Sequence, residues 1–224
     1  MNFIQTTIEI KGKDRKIDYC EELNLFKRPR TFNGIRSMIH WKYIADHIDL
    51  TKQLTCLEIG SHEGQSAMYF LKNILINPKS TLTCVDPFFK SSWSRTNQSI
   101  INYEDIWDLN KSNNDKNDQL IKYIGLNNDY YKTNTFNNTT FDIIYIDDIH
   151  TYESTILNIK ECIPKLKIGG IIIFDDYDGN YCDPNDPNAG FHWTEPVMKA
   201  IHDSSLIETM EVVYRNYQVI LKKI

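Results

Sequence analysis

Thr55-Cys56-Leu57-Glu58-Ile59-Gly60 is a short apolar run closed by a glycine, and beyond it the period of the sequence changes. From Gln65 to Ile76 the residues Met68, Leu71, Ile74 and Leu75 recur at three and four, the spacing of one helix face. Thr81-Leu82-Thr83-Cys84-Val85 then returns to a β-rich run and stops at Asp86-Pro87. Strand, helix and strand in succession are the unit of a parallel sheet. Further along, Leu120–Ile124 ends at Gly125, and Phe141-Asp142-Ile143-Ile144-Tyr145-Ile146 ends at Asp147. Tyr152–Leu166 reads as a helix on Ile156, Ile159, Ile163 and Leu166, stopped by Pro164 and Gly169-Gly170. Ile171–Phe174 is a buried strand ending at Asp175-Asp176. The pattern predicts an α/β fold, a mostly parallel sheet with helices on both faces. Thr209–Tyr214 and Tyr217–Lys222 flank Arg215-Asn216 and predict an antiparallel hairpin at one edge.

Around this core, residues 1–34 read as a lead-in segment and residues 35–224 as the domain, opening on an amphipathic helix over Ile35–Ile48. The polar stretch Asn110–Asn117 reads as a turn-forming surface excursion. The chain has 224 residues, 41% hydrophobic and 25% charged, enough for one domain with its own core. Its net charge is -5, and its densest basic patch is the short Lys27-Arg28-Pro29-Arg30. That balance disfavours a sequence-independent grip on nucleic acid or on anionic lipid. No apolar run is long enough for a bilayer, and Met1–Thr7 lacks a basic-then-apolar signal, so the reading is a cytoplasmic protein without membrane contact. The 5 cysteines are odd in number and lack metal-ligand spacing.

In an open parallel sheet, ligands bind beyond the carboxyl ends of the strands, so strand-terminal residues are the ones to read. Glu58-Ile59-Gly60-Ser61-His62-Glu63-Gly64-Gln65-Ser66 is a strand–turn–helix with glycines placed for a tight turn. His62 stands where a dinucleotide fingerprint needs its second glycine, and no Lys-Ser/Thr pair follows Gly64 as a P-loop requires. Glu58 would repel a phosphate and suits a cationic ligand. Asp86 can accept both hydroxyls of a ribose, or simply initiate a turn. Asp147 and Asp175 end strands joined by a helical crossover; as neighbours their ends lie about 5 Å apart. With Asp176 they form three crowded carboxylates, which suit a hard cation, Mg²⁺ before Mn²⁺ or Ca²⁺, or else cap helices and loops. His150, just beyond Asp147, is a candidate proton acceptor or a hydrogen-bonded loop residue. Asp148 and Asp178 are extra acids that could equally be solvent-exposed.

At these residues the chain resembles the class I S-adenosylmethionine-dependent methyltransferases, and within them the small-molecule O-methyltransferases of the macrocin-type sugar and catechol kinds. The motifs that carry the resemblance are Leu57–Ser66, Cys84-Val85-Asp86-Pro87-Phe88, Phe141–His150, Leu166–Tyr177 and Tyr217–Lys223. The resemblance implies a Rossmann-like seven-stranded sheet whose last strand is antiparallel. It implies that Glu58, Gly60, Ser61, Gly64 and Ser66 surround the methionine part of S-adenosylmethionine, that Asp86 holds its ribose, and that Gly125-Leu126-Asn127 lies near adenine. It further implies Mg²⁺ on Asp147, Asp175 and Asp176, with His150 and Asp147 catalytic. Asp148-Ile149 departs from the usual Gly-Ser of this kind of site. The expected acceptor is a small-molecule or glycan hydroxyl, contacted by aromatic residues of two segments: Phe88, Phe89 and Trp93 in one, and Tyr181, Phe191, His192 and Trp193 in the loop 178–193. Homo-oligomerisation is compatible with this reading. The alternatives are an NAD-linked or nucleotide-sugar oxidoreductase, against which the missing third glycine argues, and an inactive S-adenosylmethionine-binding module.

Overall fold

The computed structural model describes residues 3–10, 13–20, 40–89, 103–112, 114–177 and 191–224, with side chains from 41 onward except 191–194. β1 (Phe3–Ile10) and β2 (Lys13–Cys20) pair antiparallel as a separate two-stranded sheet. The lead-in therefore carries an antiparallel strand pair that the sequence reading did not anticipate, Ile10 lying opposite Lys13. Within the expected helix over Ile35–Ile48, the described part is a 3-10 helix, His40–Asp46; residues 35–39 lie outside the described residues.

The main sheet follows β3 (Thr55–Ile59), β4 (Thr81–Asp86), β5 (Leu120–Ile124), β6 (Phe141–Ile146), β7 (Leu166–Phe174), β8 (Glu211–Arg215) and β9 (Val219–Lys222). Its order is β5-β4-β3-β6-β7-β9-β8. β3 to β7 run parallel, and β9 pairs antiparallel with both β7 and β8. Helices α1 (Gln65–Asn73), α2 (Tyr103–Ser112), α3 (Tyr152–Lys165) and α4 (Phe191–Asp203) connect or cover the strands. Alternation along each strand divides the core in two. Ile143 and Tyr145 of β6 face a cluster with Trp41, Phe70 and Trp107, whereas Ile144 and Ile146 face one with Ile159, Val197 and Ile201. This is the sheet covered on both faces that the apolar runs predict.

Three elements depart from the reading. α2 takes in Asn110 to Ser112, the start of the expected excursion, because Asn110 is buried and its Nδ2 donates to the Glu63 carbonyl at 2.8 Å. β7 begins at Leu166, directly after α3, where Gly169-Gly170 was expected to separate helix from strand. The glycines sit instead at an irregularity opposite Phe141/Ile143: Gly169 holds φ 77, and a β-carbon on Gly170 would lie 2.9 Å from the Asp142 carbonyl. α4 begins at Phe191, inside the expected acceptor loop.

Candidate active site

The chain reverses its direction of winding at β3, with β4 on one side and β6 on the other. Beyond the carboxyl ends of these strands lies a cavity of about 610 Å³, where the topology opens a crevice. Gly60, Ser61, Ser66, Asp86, Gly125, Leu126 and Asn127 line one part, and Asp147, His150, Asp175 and Asp176 line another. Glu58 and Gly64 stand behind this wall.

Glu58 is fully buried and accepts hydrogen bonds from Ser61 Oγ at 2.6 Å and from Ser66 Oγ. It ties the loop after β3 to the first turn of α1 from inside. Burial pushes its carboxyl up to about 7, against the opposing pull of the Ser61 and Ser66 hydroxyls. Gly60 holds φ 89, and a β-carbon there would lie 1.8 Å from the Asp147 carbonyl oxygen. Gly64 holds φ 81, and its β-carbon would lie 2.7 Å from the Trp107 ring. Both glycines therefore allow one part of the chain to approach another. Asp86 accepts from the backbone N–H of His62 at 2.8 Å and of Phe88 at 2.6 Å, which fixes the β4 turn against the β3 loop.

The acidic side is more tightly linked. Tyr145 Oη lies 2.9 Å from Asp147 Oδ2 and 3.0 Å from Asp175 Oδ2. One phenolic proton cannot serve two carboxylates, so the trio needs a further proton on a carboxyl. Asp175 is 8% exposed and also accepts from Gln218 Nε2 at 2.8 Å, while Gln218 Oε1 accepts from Trp41 Nε1 at 2.9 Å. Burial, then the charges of Asp147 and Asp176, raise its carboxyl well above the ordinary range. Asp176 accepts from Tyr217 Oη and lies 3.1 Å from His150 Nε2; Asp147 Oδ1 is 3.5 Å from the same nitrogen. Burial, then Asp176, push the Asp147 carboxyl up to about 8, although a third of its side chain meets the cavity.

Asp147, Asp176 and His150 each offer one ligand atom, all within 4.8 Å of one another. Two carboxylates beside an imidazole in one cavity wall are what a bound cation would offset, so this donor set fits one. Both oxygens of Asp175, by contrast, are engaged by Tyr145 and Gln218.

Several site residues escape a sequence reading. Tyr145, Tyr217 and Gln218 look like ordinary strand and turn residues until the register is known. His62 holds φ 46 and packs on Tyr103 with ring centroids 4.0 Å apart. Gln65 lines the cavity, and its buried Nε2 has no hydrogen-bond partner among the described residues. Among the expected acceptor residues, Phe88 is buried and Phe89 lies 68% exposed at the cavity rim. Trp93, Asp178, Tyr181 and the side chains of Phe191, His192 and Trp193 lie outside the described residues.

The structure is similar to those of known methyltransferases. CalS11, a TDP-rhamnose 3'-O-methyltransferase of calicheamicin biosynthesis, is 16% identical over 90% of this chain and 92% of its own, with TM-score 0.55. PaMTH1 from Podospora anserina, solved with S-adenosylhomocysteine, is 14% identical over 92% and 89%, with TM-score 0.63. The O-methyltransferase TomG from Streptomyces achromogenes, solved with S-adenosylmethionine, is 14% identical over 92% of each chain, with TM-score 0.58. A comparison with curated proteins gives no significant match. Likeness at this identity establishes a fold shared with these methyltransferases. The methyltransferase domain family matches residues 57–177, more than half of the sequence and every strand end that lines the cavity except the last hairpin. The chain belongs to the methyltransferase domain family.

Proposed function

We propose that the protein transfers a methyl group from S-adenosylmethionine to a hydroxyl of a small molecule or sugar, with a divalent cation assisting. The observation that carries this reading is one cavity with two unlike sides. The β3, β4 and β5 ends supply hydroxyls, amides and Asp86, and the β6 and β7 ends supply carboxylates and an imidazole. The S-adenosylhomocysteine bound in PaMTH1, the S-adenosylmethionine bound in TomG and the TDP-rhamnose acceptor of CalS11 support it.

When bound, S-adenosylmethionine would supply a methyl carbon on a positively charged sulfur, and a divalent cation would supply charge that lowers the pKa of an acceptor hydroxyl. On the donor side, Asp86 presents carboxylate oxygens to ribose hydroxyls, and the unpartnered Gln65 amide presents N–H to an anionic group. On the acceptor side, Asp147 and Asp176 would hold the cation. Asp175, anchored by Tyr145 and Gln218, supports them from the core. His150 accepts the hydroxyl proton at Nε2. Fixing donor and acceptor in one cavity supplies alignment, worth about 7–11 kcal/mol in well-oriented reactions.

The test is calorimetry with S-adenosylhomocysteine with and without Mg²⁺, followed by methyl transfer to a panel of sugars and catechols. Heat on binding S-adenosylhomocysteine and a turnover lost with a chelator are expected; full turnover in EDTA would remove the cation from the reading and leave the cofactor part standing. A second role for His150, as third cation ligand, is favoured by the 4.8 Å span of the donor set. In His150→Ala, unchanged Mg²⁺ affinity with lost turnover supports the proton acceptor, and lost affinity supports the ligand.

A further inference from the structure

Asp148 is the acid to which the sequence gives no task, and the structure surrounds it with donors. Its Oδ1 accepts from the backbone N–H of His150 at 3.3 Å. Its Oδ2 accepts from Ser154 Oγ, from Asn158 Nδ2 at 2.8 Å and from Asn127 Nδ2 at 3.3 Å. Asn158 is fully buried, and its Oδ1 in turn accepts from Asn127 Nδ2 at 2.9 Å and Tyr131 Oη at 2.7 Å. One carboxylate thus joins the loop after β6, the start of α3 and the turn after β5. These donors converge on a residue beside a strained backbone. His150 holds φ 51, a left-handed conformation that non-glycine residues rarely adopt unless local bonds secure it. The bond from its N–H back to Asp148 is such a local bond.

We propose that Asp148 is a positioning residue that holds the left-handed backbone presenting the His150 ring to Asp147 and Asp176. Through Asn127, it makes that posture depend on what fills the cavity beside Leu126. The second part rests on the reading of Gly125-Leu126-Asn127 as the adenine side of the donor site; the first does not. The chemistry of the side chain makes the two parts separable. A carboxylate accepts on both oxygens, whereas asparagine has one accepting oxygen and one donating nitrogen. Asp148→Asn can keep its oxygen toward the His150 N–H, but its amide nitrogen then faces the Ser154, Asn158 and Asn127 donors. Asp148→Ala loses both ends.

The test is hydrogen exchange of the His150 amide, followed by NMR in the full-length protein with and without S-adenosylhomocysteine. In the parent protein the amide is protected, and ligand raises that protection at least about fivefold. Asp148→Asn retains the ligand-free protection and loses the response; Asp148→Ala loses the protection itself. Unchanged protection in Asp148→Ala overturns the first part, and a full ligand response in Asp148→Asn overturns the second. If Asp148→Ala does not fold, Asn127→Ala tests the link: it should keep the ligand-free protection and abolish the response, and a retained response overturns the link. Should S-adenosylhomocysteine give no heat with the parent protein, the donor reading fails along with the coupling. The ligand-free comparison still decides whether Asp148 holds His150. Turnover adds a second arm. Asp148→Ala is expected to lower kcat about tenfold or more in the parent and less than about twofold in His150→Ala, the non-additivity of residues acting through one another. Equal losses in both backgrounds would show that Asp148 acts on the fold at large.

Discussion

At Gly60 the chain has no room for a side chain, because the Asp147 carbonyl occupies the place a β-carbon would take. Gly60→Ala combines a φ of 89 with a backbone collision, so urea unfolding should show a loss of about 3 kcal/mol or more. Gly169→Ala is the control. Its φ of 77 is equally left-handed but nothing lies within 4 Å, so the expected cost is about 1 kcal/mol. The sequence shows both glycines alike and cannot tell them apart, since what crowds Gly60 lies 87 positions further along the chain. Tyr145→Phe makes a complementary test. Removing the hydroxyl leaves Asp147 and Asp175 facing each other without their shared partner. If the three groups act as a unit, the variant should bind Mg²⁺ about tenfold differently from the parent in a calorimetric titration. Nothing in the motif Ile144-Tyr145-Ile146 announces this role; an alternating strand accounts for the tyrosine on packing alone.

At the scale of the element, β3, β4, β5 and β6 are legible because each is a short apolar run with a hard stop, and their bounds come within a residue of the reading. α2 was not legible. Its inward stripe is Tyr103, Trp107 and Asn110, and a buried asparagine in the third place hides the helical period. The same helix is held chiefly by Trp107, fully buried against Gly64 and within 6.0 Å of the Phe88 ring. Trp107→Ala should cost about 3–5 kcal/mol in denaturant unfolding, the usual range for emptying an aromatic site. The 3-10 helix at His40–Asp46 contributes Trp41 in the same way, with ring centroids 5.2, 5.0 and 4.8 Å from Tyr69, Phe70 and Tyr145. Sequence periodicity suggests an amphipathic helix there but not that its tryptophan reaches Gln218.

For the whole molecule, the fold class follows from the alternation of short apolar strands with helices, whereas the partners of the site depend on sheet register, which no single strand reveals. β9 places Gln218 and Tyr217 beside the acids of β7 because it inserts between β7 and β8. The buried acids also give the molecule a pH signature. Glu58 titrates at about 7 when folded and at about 4.5 ordinarily, so the native state holds its proton more tightly between those values. Its contribution is complete below 4.5 and is lost as pH rises through 7, on the order of 3 kcal/mol in all. Asp147, raised to about 8, acts in the same direction. The melting temperature without added metal should therefore fall between pH 5 and pH 8.5, and Glu58→Gln should flatten part of that slope. A parent protein whose melting temperature rises over this interval would contradict the assignment.

Tyr217, which supports Asp176, and Gln218, one of the two supports of Asp175, come 41 and 43 positions after the acids they hold. During synthesis on the ribosome, the carboxylates therefore emerge well before the phenol and amide that steady them. A nascent chain halted between the two would carry the acids with Tyr145 alone to brace them, and prematurely terminated products should be inert rather than partly competent.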